Sequence, residues 1–568
     1  MKKALVTLVS MILIVIIGYF TIGKELIDKY SYGRDYADMK EFYGVDDAHL
    51  AIILQDEQME KQGLLRGGKC YLPLAFAEQY LTDEFYYEEE MDALLYTTAT
   101  DTRAIPIGEE YILIDGERKD LGYPGTLSAE GETWIATDLL LDYAAFTVNV
   151  YEYHVQLYTE WGIADMRKIT DNTEIRARGG IKSLILRDLE KDESVEILEE
   201  METWSKVKTS DSIIGYVENK KMRKASGLEE KPAAQPDLPE YTSLSPEGKL
   251  VLGFHAVFGT SGNDSLSDVL AEGKGITVIA PTWFSLTDDY GSYRSYASAD
   301  YVAAAHEKGI MVWTVWDNFN YEMESGETVN DVALLSSMDV RRNLAQSMVS
   351  ECVSIGADGI NLDFEGLSSE CGIHYVQFVK ELGVLCRRAG IYLSIDNYVP
   401  FNFNNFYRLD IQGRVADFVL IMGYDEHTKG SGDPGSVASI GYVSDGLDAT
   451  LARVPASKVI NALPLYTILW KSDGGTISDE YITVNNQADF IKRNNLEPTW
   501  NEETCQNYST WTADGTTYQI WFEDQESVEA KLNVMQARNI RGVAAWRLGY
   551  GTREIWQQIE GYGEDTDH

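Results

Sequence analysis

Short apolar runs alternate with longer amphipathic segments between residues 250 and 546. Several of these longer segments have the apolar spacing of helices. Eight strand-like runs alternating with helices predict a (β/α)8 TIM barrel over residues 249–560. The runs cover 250–255, 278–284, 311–316, 358–365, 391–396, 418–425, 459–466 and 542–546. Residues 472–524, before the last run, are predicted to be an insertion placed to wall one side of a cleft.

The fourth run, residues 358–365, alternates between apolar and polar side chains, with Asn361, Asp363 and Glu365 at its polar positions. Successive strand side chains point to opposite faces, so these three lie on one face at intervals of about 7 Å. Such a strand fits a barrel whose carboxyl ends open into an active site. A half-exposed antiparallel strand with a solvated acidic face is the alternative.

Residues 49–162 are predicted to form a small α+β domain, because short apolar runs are broken by turns. Asp115-Gly116 predicts a hairpin turn, and 75–81 and 137–143 predict short helices. The pattern resembles the small domain shared with the amino-terminal part of copper amine oxidases. That resemblance implies a spacer or a protein-contact module.

Residues 168–222 alternate at period two between turns, which predicts a small all-β domain. The order V-E-I-L-E-E, W-S-K-V-K and G-Y-V is similar to that of bacterial SH3 domains. The similarity implies either peptidoglycan binding or a spacer role. Prolines among polar residues predict an extended linker over 223–248, and 561–568 is predicted to be a frayed acidic tail.

The amino terminus contains twenty uncharged residues, 4–23, after Lys2 and Lys3. As a helix they would span about 30 Å, the thickness of a bilayer core. No clear cleavage site follows. The sequence therefore predicts an uncleaved membrane anchor, with residues 1–3 cytoplasmic, 24–48 as a stalk and the rest outside the cell. Cleavage and secretion is the alternative.

Composition narrows the classes of partner. The formal charge of -43 argues against nucleic acid or anionic lipid as the main partner. The 44% of hydrophobic and 11% of aromatic residues suffice for a large core. The five cysteines lack metal-ligand spacing and are predicted to be buried thiols, with a disulfide among Cys352, Cys371 and Cys386 as the alternative.

The motif Asp358-Gly-Ile-Asn-Leu-Asp363-Phe-Glu365 resembles the D-G-x-D-x-D-x-E signature of family 18 glycoside hydrolases. Segments 281–285, 422–425 and 545–549 are similar to the branch with spore-cortex and cell-wall N-acetylglucosaminidases. The resemblance covers about residues 249–560. Asn361 departs from it, since chitinases usually carry aspartate there. Asparagine occurs in the spore-type branch, so the departure implies weaker tuning of Asp363 rather than loss of activity.

The resemblance implies hydrolysis of a β-linked N-acetylglucosamine unit with retention, the substrate's own acetamido oxygen being the nucleophile, without metal or cofactor. It assigns Glu365 as the acid and base. Asp363 would raise the pKa of Glu365 and stabilise the oxazolinium cation. Asn361 would hold Asp363, and Tyr424, with Asp425 beside it, would donate to the acetamido oxygen.

Aromatic residues near strand ends are assigned to substrate binding, with Trp546 as the apolar floor for the sugar. The other residues of this group are Trp283, Trp316, Tyr466 and Tyr398. Asp358, at the start of its strand, is assigned a structural role.

The sequence therefore predicts a membrane-anchored, cell-surface glycosidase acting on peptidoglycan. A chitinase or an endo-N-acetylglucosaminidase acting on other glycans is one alternative. A non-hydrolytic carbohydrate-binding protein is another, although lectin-like relatives typically lose the acid that Glu365 supplies here. The oligomeric state is not predicted.

Overall fold

The computed structural model describes residues 2–319 and 329–564. They form two compact units, described separately here. One unit comprises Met1–Phe85 and Ala104–Leu238, and the other comprises Tyr86–Arg103 and Pro239–His568. The chain therefore passes between the units three times.

The amino-terminal helix covers Lys2–Gly18, which is 17 residues. A π-helical turn, Tyr19–Gly23, and a further helix, Lys24–Tyr30, follow it. Within residues 2–319 and 329–564, no helix is both long enough and apolar enough to cross a bilayer. The membrane anchor predicted over residues 4–23 is therefore not supported.

The first unit contains two seven-stranded sheets. The strands of the first, in spatial order, are Thr147–Val150, His154–Tyr158, His49–Leu54, Glu57–Arg66, Lys69–Pro73, Glu132–Ala136 and Thr126–Ala129. Those of the second are Ile185–Leu189, Thr173–Arg176, Ile214–Glu218, Trp204–Thr209, Ser194–Glu199, Met166–Ile169 and Met222–Lys224. Short helices cover Met39–Tyr43, Leu74–Tyr80 and Thr137–Leu140. The second sheet supplies the strands predicted over 168–222, whereas the likeness to bacterial SH3 domains stays a prediction.

The hairpin predicted at Asp115-Gly116 is confirmed. Strands Tyr111–Ile114 and Glu117–Asp120 pair antiparallel, with Ile114 opposite Glu117. Asp115 and Gly116 have φ values of 49° and 88°. This two-residue turn with positive φ at both positions matches the twist of the flanking strands.

The linker predicted over 223–248 is largely irregular. Residues 230–249, all of them described, contain no helix or strand. At its start, Leu228–Glu229 pairs with Ile163–Ala164. The regular structure of the first unit therefore extends a few residues into the predicted linker.

The second unit is a closed barrel of eight parallel strands, as predicted. Each strand pairs with the next along the chain, and the last pairs with the first, so the ring has no open edge. The strands are β1 (Leu250–His255), β2 (Val278–Pro281), β3 (Met311–Asp317), β4 (Gly359–Asp363), β5 (Tyr392–Tyr398), β6 (Phe418–Met422), β7 (Val459–Pro464) and β8 (Gly542–Trp546).

Helices between and after the strands complete the α/β pattern. They cover Leu266–Glu272, Ala299–His306, Asp331–Ser336, Met338–Ser354, Gly372–Ala389, Leu409–Val415, Ile440–Leu451, Gln525–Ala537 and Arg553–Glu564. A short hairpin, Phe284–Leu286 with Tyr293–Ser295, follows β2. This order of parallel strands and helices is that of a TIM barrel.

The insertion before β8 is a separate antiparallel sheet with one helix, Val484–Arg493. Its strands are Tyr466–Asp473, Thr476–Thr483, Thr499–Asn501, Gln506–Ala513 and Thr516–Phe522. The insertion therefore begins at 466, a few residues earlier than predicted, because β7 ends at Pro464.

A segment distant in sequence belongs to the barrel unit. Its strands, Tyr86–Glu88 and Ala93–Thr97, form a hairpin. Arg341, 0% exposed, donates from Nη2 to Glu88 Oε2 at 2.7 Å and from Nε to Glu381 Oε2 at 3.0 Å. Residues 86–103, which lie within the domain predicted over 49–162, group with the barrel unit, and this buried ion pair is one of their contacts with it.

Candidate active site

A cavity of about 270 Å³ opens at the carboxyl ends of the barrel strands. This is the face on which TIM-barrel enzymes place their active sites. Seven of the ten residues assigned to the site from sequence line it: Asp363, Glu365, Tyr398, Tyr424, Asp425, Tyr466 and Trp546. The structure thus brings most of the predicted set together.

Acidic side chains dominate the polar part of the lining. The five carboxyls are Asp317, Asp363, Glu365, Asp396 and Asp425. Among the described lining residues, none has a basic side chain. Like charges in a poorly solvated site favour the protonated forms, so this cavity retains protons above the usual carboxyl range.

Glu365 lies two residues beyond β4 and is fixed through its backbone. The side-chain amide of Asn318, which is wholly buried, accepts from Glu365 N at 3.0 Å and donates to Glu365 O at 2.8 Å. Burial raises the pKa of Glu365, the charge of Asp425 raises it further, and a hydrogen bond from Tyr398 lowers it. A carboxyl with a raised pKa is suited to general acid catalysis.

Asp363 is the last residue of β4 and faces the cavity. Burial raises its pKa well above the usual value, and the charges of Glu365, Asp396 and Asp317 add to the effect. Its Oδ1 is buried and has no hydrogen-bond partner among the described residues. Because the charge of Glu365 raises the pKa of Asp363, the protonation of Asp363 depends on that of Glu365.

Asp317 ends β3 directly beside Asp363 in the parallel register. It accepts hydrogen bonds from Ser285 Oγ at 3.0 Å and from Phe319 N at 3.1 Å. Burial nevertheless raises the pKa of Asp317 to about 7. The folded barrel therefore binds a proton here that the unfolded chain releases near pH 4.

Asp317 should make barrel stability depend on pH. Its raised pKa stabilises the folded state below about pH 4, and this contribution is lost as pH rises towards 7. The loss has a slope of up to about 1.4 kcal/mol per pH unit. We expect Asp317→Asn to flatten the fall in the free energy of unfolding between pH 4 and 7, measured by denaturant titration. If the variant showed the same dependence of unfolding free energy on pH as wild type, the raised pKa of Asp317 would be contradicted.

Tyr424, Asp425 and Tyr466 form one side of the cavity, after β6 and β7. The Tyr466 hydroxyl donates to Asp425 Oδ1. Asp425 has a φ of 62°, a left-handed conformation that is uncommon for non-glycine residues. This backbone conformation and the hydrogen bond from Tyr466 hold the Asp425 carboxyl next to Tyr424 in the cavity wall.

Aromatic rings form the apolar part of the lining. Trp546, the last residue of β8, packs against Phe254 with ring centroids 5.4 Å apart, and its peptide bond to Arg547 is cis. Tyr481 comes from the insertion and reaches the cavity beside Tyr466. The insertion thus supplies part of one wall, as predicted.

Trp283 and Trp316 do not belong to this lining, which corrects their assignment to substrate binding. Both are 0% exposed. Trp316 pairs in register with Leu362 and stacks on Phe284 at 4.1 Å, so it shares the apolar face of its strand. The Trp283 indole N–H donates to Asn263 Oδ1 at 2.8 Å, which satisfies its polar group inside the core.

Asn361 and Asp358 have supporting positions. Asn361 is wholly buried, and its Nδ2 donates to Asp396 Oδ1 at 2.7 Å, so its hydrogen bonds go to β5 and not to Asp363, which it was predicted to hold. Asp358 Oδ2 accepts from Val312 N at 2.7 Å and lies 2.8 Å from His306 Nε2. The structural role predicted for Asp358 is therefore confirmed by its contacts at the start of β4.

Sequence reasoning missed Asn318, Asp317 and Tyr481. Asp317 directly follows an apolar run, so the strand-end rule that selected Glu365 would also have selected it. Asn318 acts through the backbone of a residue 47 positions away, and no local pattern reveals such a contact. Tyr481 lies in the insertion, whose orientation is not encoded in strand periodicity.

The cysteines are not joined by disulfides in the structure. All five cysteines are free, and Cys70, Cys352, Cys371 and Cys386 are buried. The predicted buried thiols are thus confirmed for these four, and the alternative disulfide does not form. In the described part of the chain, no group of three or more His, Cys, Asp or Glu is arranged to hold a metal ion.

The chain is similar to glycosyl hydrolases of family 18 and to proteins named as a glycosylase and a lytic enzyme. Residues 329–551 match the model of Glycosyl hydrolases family 18. The chain is 25% identical over 273 residues to the uncharacterised glycosylase YvbX of Bacillus subtilis (strain 168), covering 45% of this chain and 76% of YvbX. It is 27% identical over 257 residues to the cortical fragment-lytic enzyme of the same strain, covering 44% of this chain and 58% of that enzyme.

A solved structure shares the fold. It is the C-terminal domain of a Desulfitobacterium hafniense DCB-2 protein, with 18% identity and a TM-score of 0.50, covering 56% of this chain and 98% of that domain. At that identity the likeness concerns the fold alone. The family match contains β4 with Asp363 and Glu365 and extends past β8. Residues 329–551 of this chain accordingly match a family 18 glycosyl hydrolase domain, which is what a glycosyl hydrolase would show.

Proposed function

We propose that the barrel hydrolyses β-linked N-acetylglucosaminyl bonds of peptidoglycan outside the cell, with retention and by substrate assistance. The observation that carries the proposal is the cavity in which Glu365 and Asp363 lie among five carboxyls and no described basic residue. Such a site holds a proton for a leaving group and stabilises a positively charged intermediate. These are the two requirements of the reaction.

Glu365 is the proton donor in this proposal. Its raised pKa keeps it protonated where an ordinary glutamate would be ionised. It gives the proton to the glycosidic oxygen and then accepts one from water. The two hydrogen bonds between the Asn318 side-chain amide and the Glu365 backbone keep the carboxyl on the cavity side of the strand end.

Asp363 and Tyr424 act on the acetamido group of the substrate. Asp363 Oδ1 has no donor among the described residues, so the acetamido N–H can supply one. An ionised Asp363 then stabilises the oxazolinium cation. The hydroxyl of Tyr424, which lines the same cavity, donates to the acetamido oxygen and aligns it below the anomeric carbon.

The aromatic lining holds the sugar rings. Trp546 and Phe254 form an apolar surface at the end of β8 and β1. Tyr398, Tyr466 and Tyr481 add rings with hydroxyls, which suit the mixed apolar and polar faces of a sugar. In this role Trp546 is the floor of the site.

Two observations favour peptidoglycan over other glycans. The chain is similar to a protein named a cortical fragment-lytic enzyme. Residues 168–222 also resemble bacterial SH3 domains, some of which bind the cell wall. A chitinase or an endo-N-acetylglucosaminidase would use the same chemistry on different sugars, so the substrate must be decided by experiment.

Product analysis on three substrates tests the proposal. Purified peptidoglycan, chitin oligomers and an N-glycoprotein are each incubated with the full chain, and the products are identified by mass spectrometry. We expect N-acetylglucosamine at new reducing ends from peptidoglycan, with the β-anomer first by NMR. Cleavage of chitin oligomers alone would favour the chitinase, and binding without cleavage would favour a lectin.

Asp363→Asn should lower the hydrolysis rate about 100-fold or more, on the scale of losing one transition-state stabilising group. The substitution keeps the shape of the side chain and removes its charge. The measurement is kcat on the substrate that the wild type cleaves. A normal rate would remove the role assigned to Asp363.

A further inference from the structure

Position 361 carries an amide, and a carboxyl lies on the neighbouring strand. Asn361 Nδ2 donates to Asp396 Oδ1 at 2.7 Å and to Ser394 Oγ at 3.3 Å. Asp396 is 3% exposed and lines the cavity. Position 361 has an amide in place of a carboxyl, and the carboxyl of Asp396 on β5 is hydrogen-bonded to that amide.

Asp317, Asp363 and Asp396 form a row across three adjacent strands. Asp317 is paired in register with Asp363. Leu362 is paired with Ile395, so Asp363 and Asp396 are the next neighbours in the same register. The three carboxyls thus occupy one layer at the mouth of the barrel.

The outer two carboxyls of this row have donors, whereas the central one lacks one at Oδ1. Asp317 accepts from Ser285 and Phe319, and Asp396 accepts from Asn361. Asp363 Oδ1 has no partner among the described residues. A hydrogen bond donated to a carboxylate favours its ionised form. As the row loses protons, charge therefore settles first on the outer aspartates and last on Asp363.

A second orphaned atom supports this distribution. Asn361 Oδ1 is also buried without a partner in the described part of the chain. Asn361 and Asp363 are two residues apart and share a strand face. Neither atom receives a hydrogen bond from a described residue, so Asp363 Oδ1 lacks the donor that would favour its ionised form.

We propose that Asp396 is the positioning residue that keeps a proton on Asp363, in place of a carboxylate at position 361. Asn361 orients it through the hydrogen bond to Oδ1, and an ionised Asp396 disfavours ionisation of Asp363. The inference rests on the proposed roles of Asp363 and Glu365. It adds a residue that acts through them and need not touch the substrate.

Other titratable groups surround Asp396 and must be counted in any pH experiment. The acidic groups are Asp317 on β3, Asp363 and Glu365 at β4 and Asp425 after β6. The phenols are Tyr375, Tyr398, Tyr407 and Tyr424. Burial raises the pKa of each of these phenols above 10, so at neutral pH the carboxyls are the groups that change charge.

Moving the carboxyl between the two positions tests the proposal. The variants are Asp396→Asn, Asn361→Asp and the double variant N361D/D396N. For each, kcat/KM is measured against pH on a soluble peptidoglycan fragment, with thermal unfolding as a check on folding. Asp448→Asn, an exposed aspartate paired with Arg538, is the matched control.

Asp396→Asn should move the basic limb of the pH profile down by about one unit, because removing a negative charge lets Asp363 ionise at lower pH. Asn361→Asp alone should move it up. The double variant should return the limb to within a few tenths of a unit of wild type. A purely structural role for Asp396 would not be rescued by a carboxyl at position 361.

The proposal would be overturned if Asp396→Asn left the basic limb at its wild-type pH. It would also be overturned if the folded double variant did not return the basic limb to the wild-type pH. If Asp396→Asn does not fold, an unmoved limb in Asn361→Asp would overturn it equally. Infrared difference spectra of the protonated carboxyl band follow the same titration without substrate. Wild type that is inert on the glycan would therefore refute the proposed function, while these spectra still decide the role of Asp396.

Discussion

Glu365→Gln should reduce hydrolysis by about 10³-fold or more while leaving the barrel folded. A positioned general acid typically contributes about 10²- to 10⁴-fold, and glutamine cannot donate a proton of comparable acidity. The backbone of Glu365, which Asn318 holds, is unchanged by the substitution. The measurement is the release of reducing ends from the glycan that the wild type cleaves.

Glu370→Gln is the matched control for this prediction. It makes the same chemical change five residues further on, at an exposed position outside the cavity. We expect its rate to equal that of wild type. Equal rates for wild type and Glu365→Gln would show that another group supplies the proton, and the enzyme mechanism proposed here would fail.

Arg341→Met should cost about 3–5 kcal/mol of barrel stability, the scale for breaking a buried ion pair by removing one partner. The substitution leaves Glu88 and Glu381 buried without their shared cation. The hairpin of residues 86–97 should then detach more readily. The measurement is the barrel unfolding transition in urea, followed at neutral pH.

Arg118→Met provides the comparison for Arg341. Arg118 pairs with Asp120 at the surface of the other unit, with side-chain exposures of 60% and 74%. Exposed pairs of this kind contribute little to stability, because water screens the two charges. A loss at Arg341 no larger than that at Arg118 would mean that residues 86–103 do not support the barrel.

The barrel could be predicted from sequence because its strands are buried on both faces. Every residue of β1 and β7 is buried, so each of these strands appears in the sequence as a short apolar run. The turn at Asp115-Gly116 was predictable for a similar reason, since its conformation depends on two adjacent residues. Local patterns were sufficient for both features.

Features that depend on distant contacts were not predictable. Arg341 and Glu88 are charged residues 253 positions apart, and sequence patterns assign such residues to the surface. The faces of Trp283 and Trp316 were misassigned, because an aromatic residue near a strand end fits either the cavity or the helix-facing layer. For Trp316, the register that pairs it with Leu362 resolves the choice.

In the candidate site, too, some residues could be predicted from a local motif and others could not. The motif from Asp358 to Glu365 fixed the central strand and its two carboxyls. The neighbours that set their protonation, Asp317 and Asp396, come from adjacent strands and follow from barrel closure. Predicting the chemistry of this cavity from sequence would therefore require the order of the strands as well as the motif.

The three passages of the chain between the units have a practical consequence for proteolysis. A protease acting on the irregular residues 230–249 would sever one passage and leave those at 85–86 and 103–104 intact. Residues 86–103 would then remain covalently joined to the first unit, and Glu88 would still form its ion pair with Arg341 of the barrel. A single nick in that region should give two fragments on a denaturing gel that migrate together under native conditions.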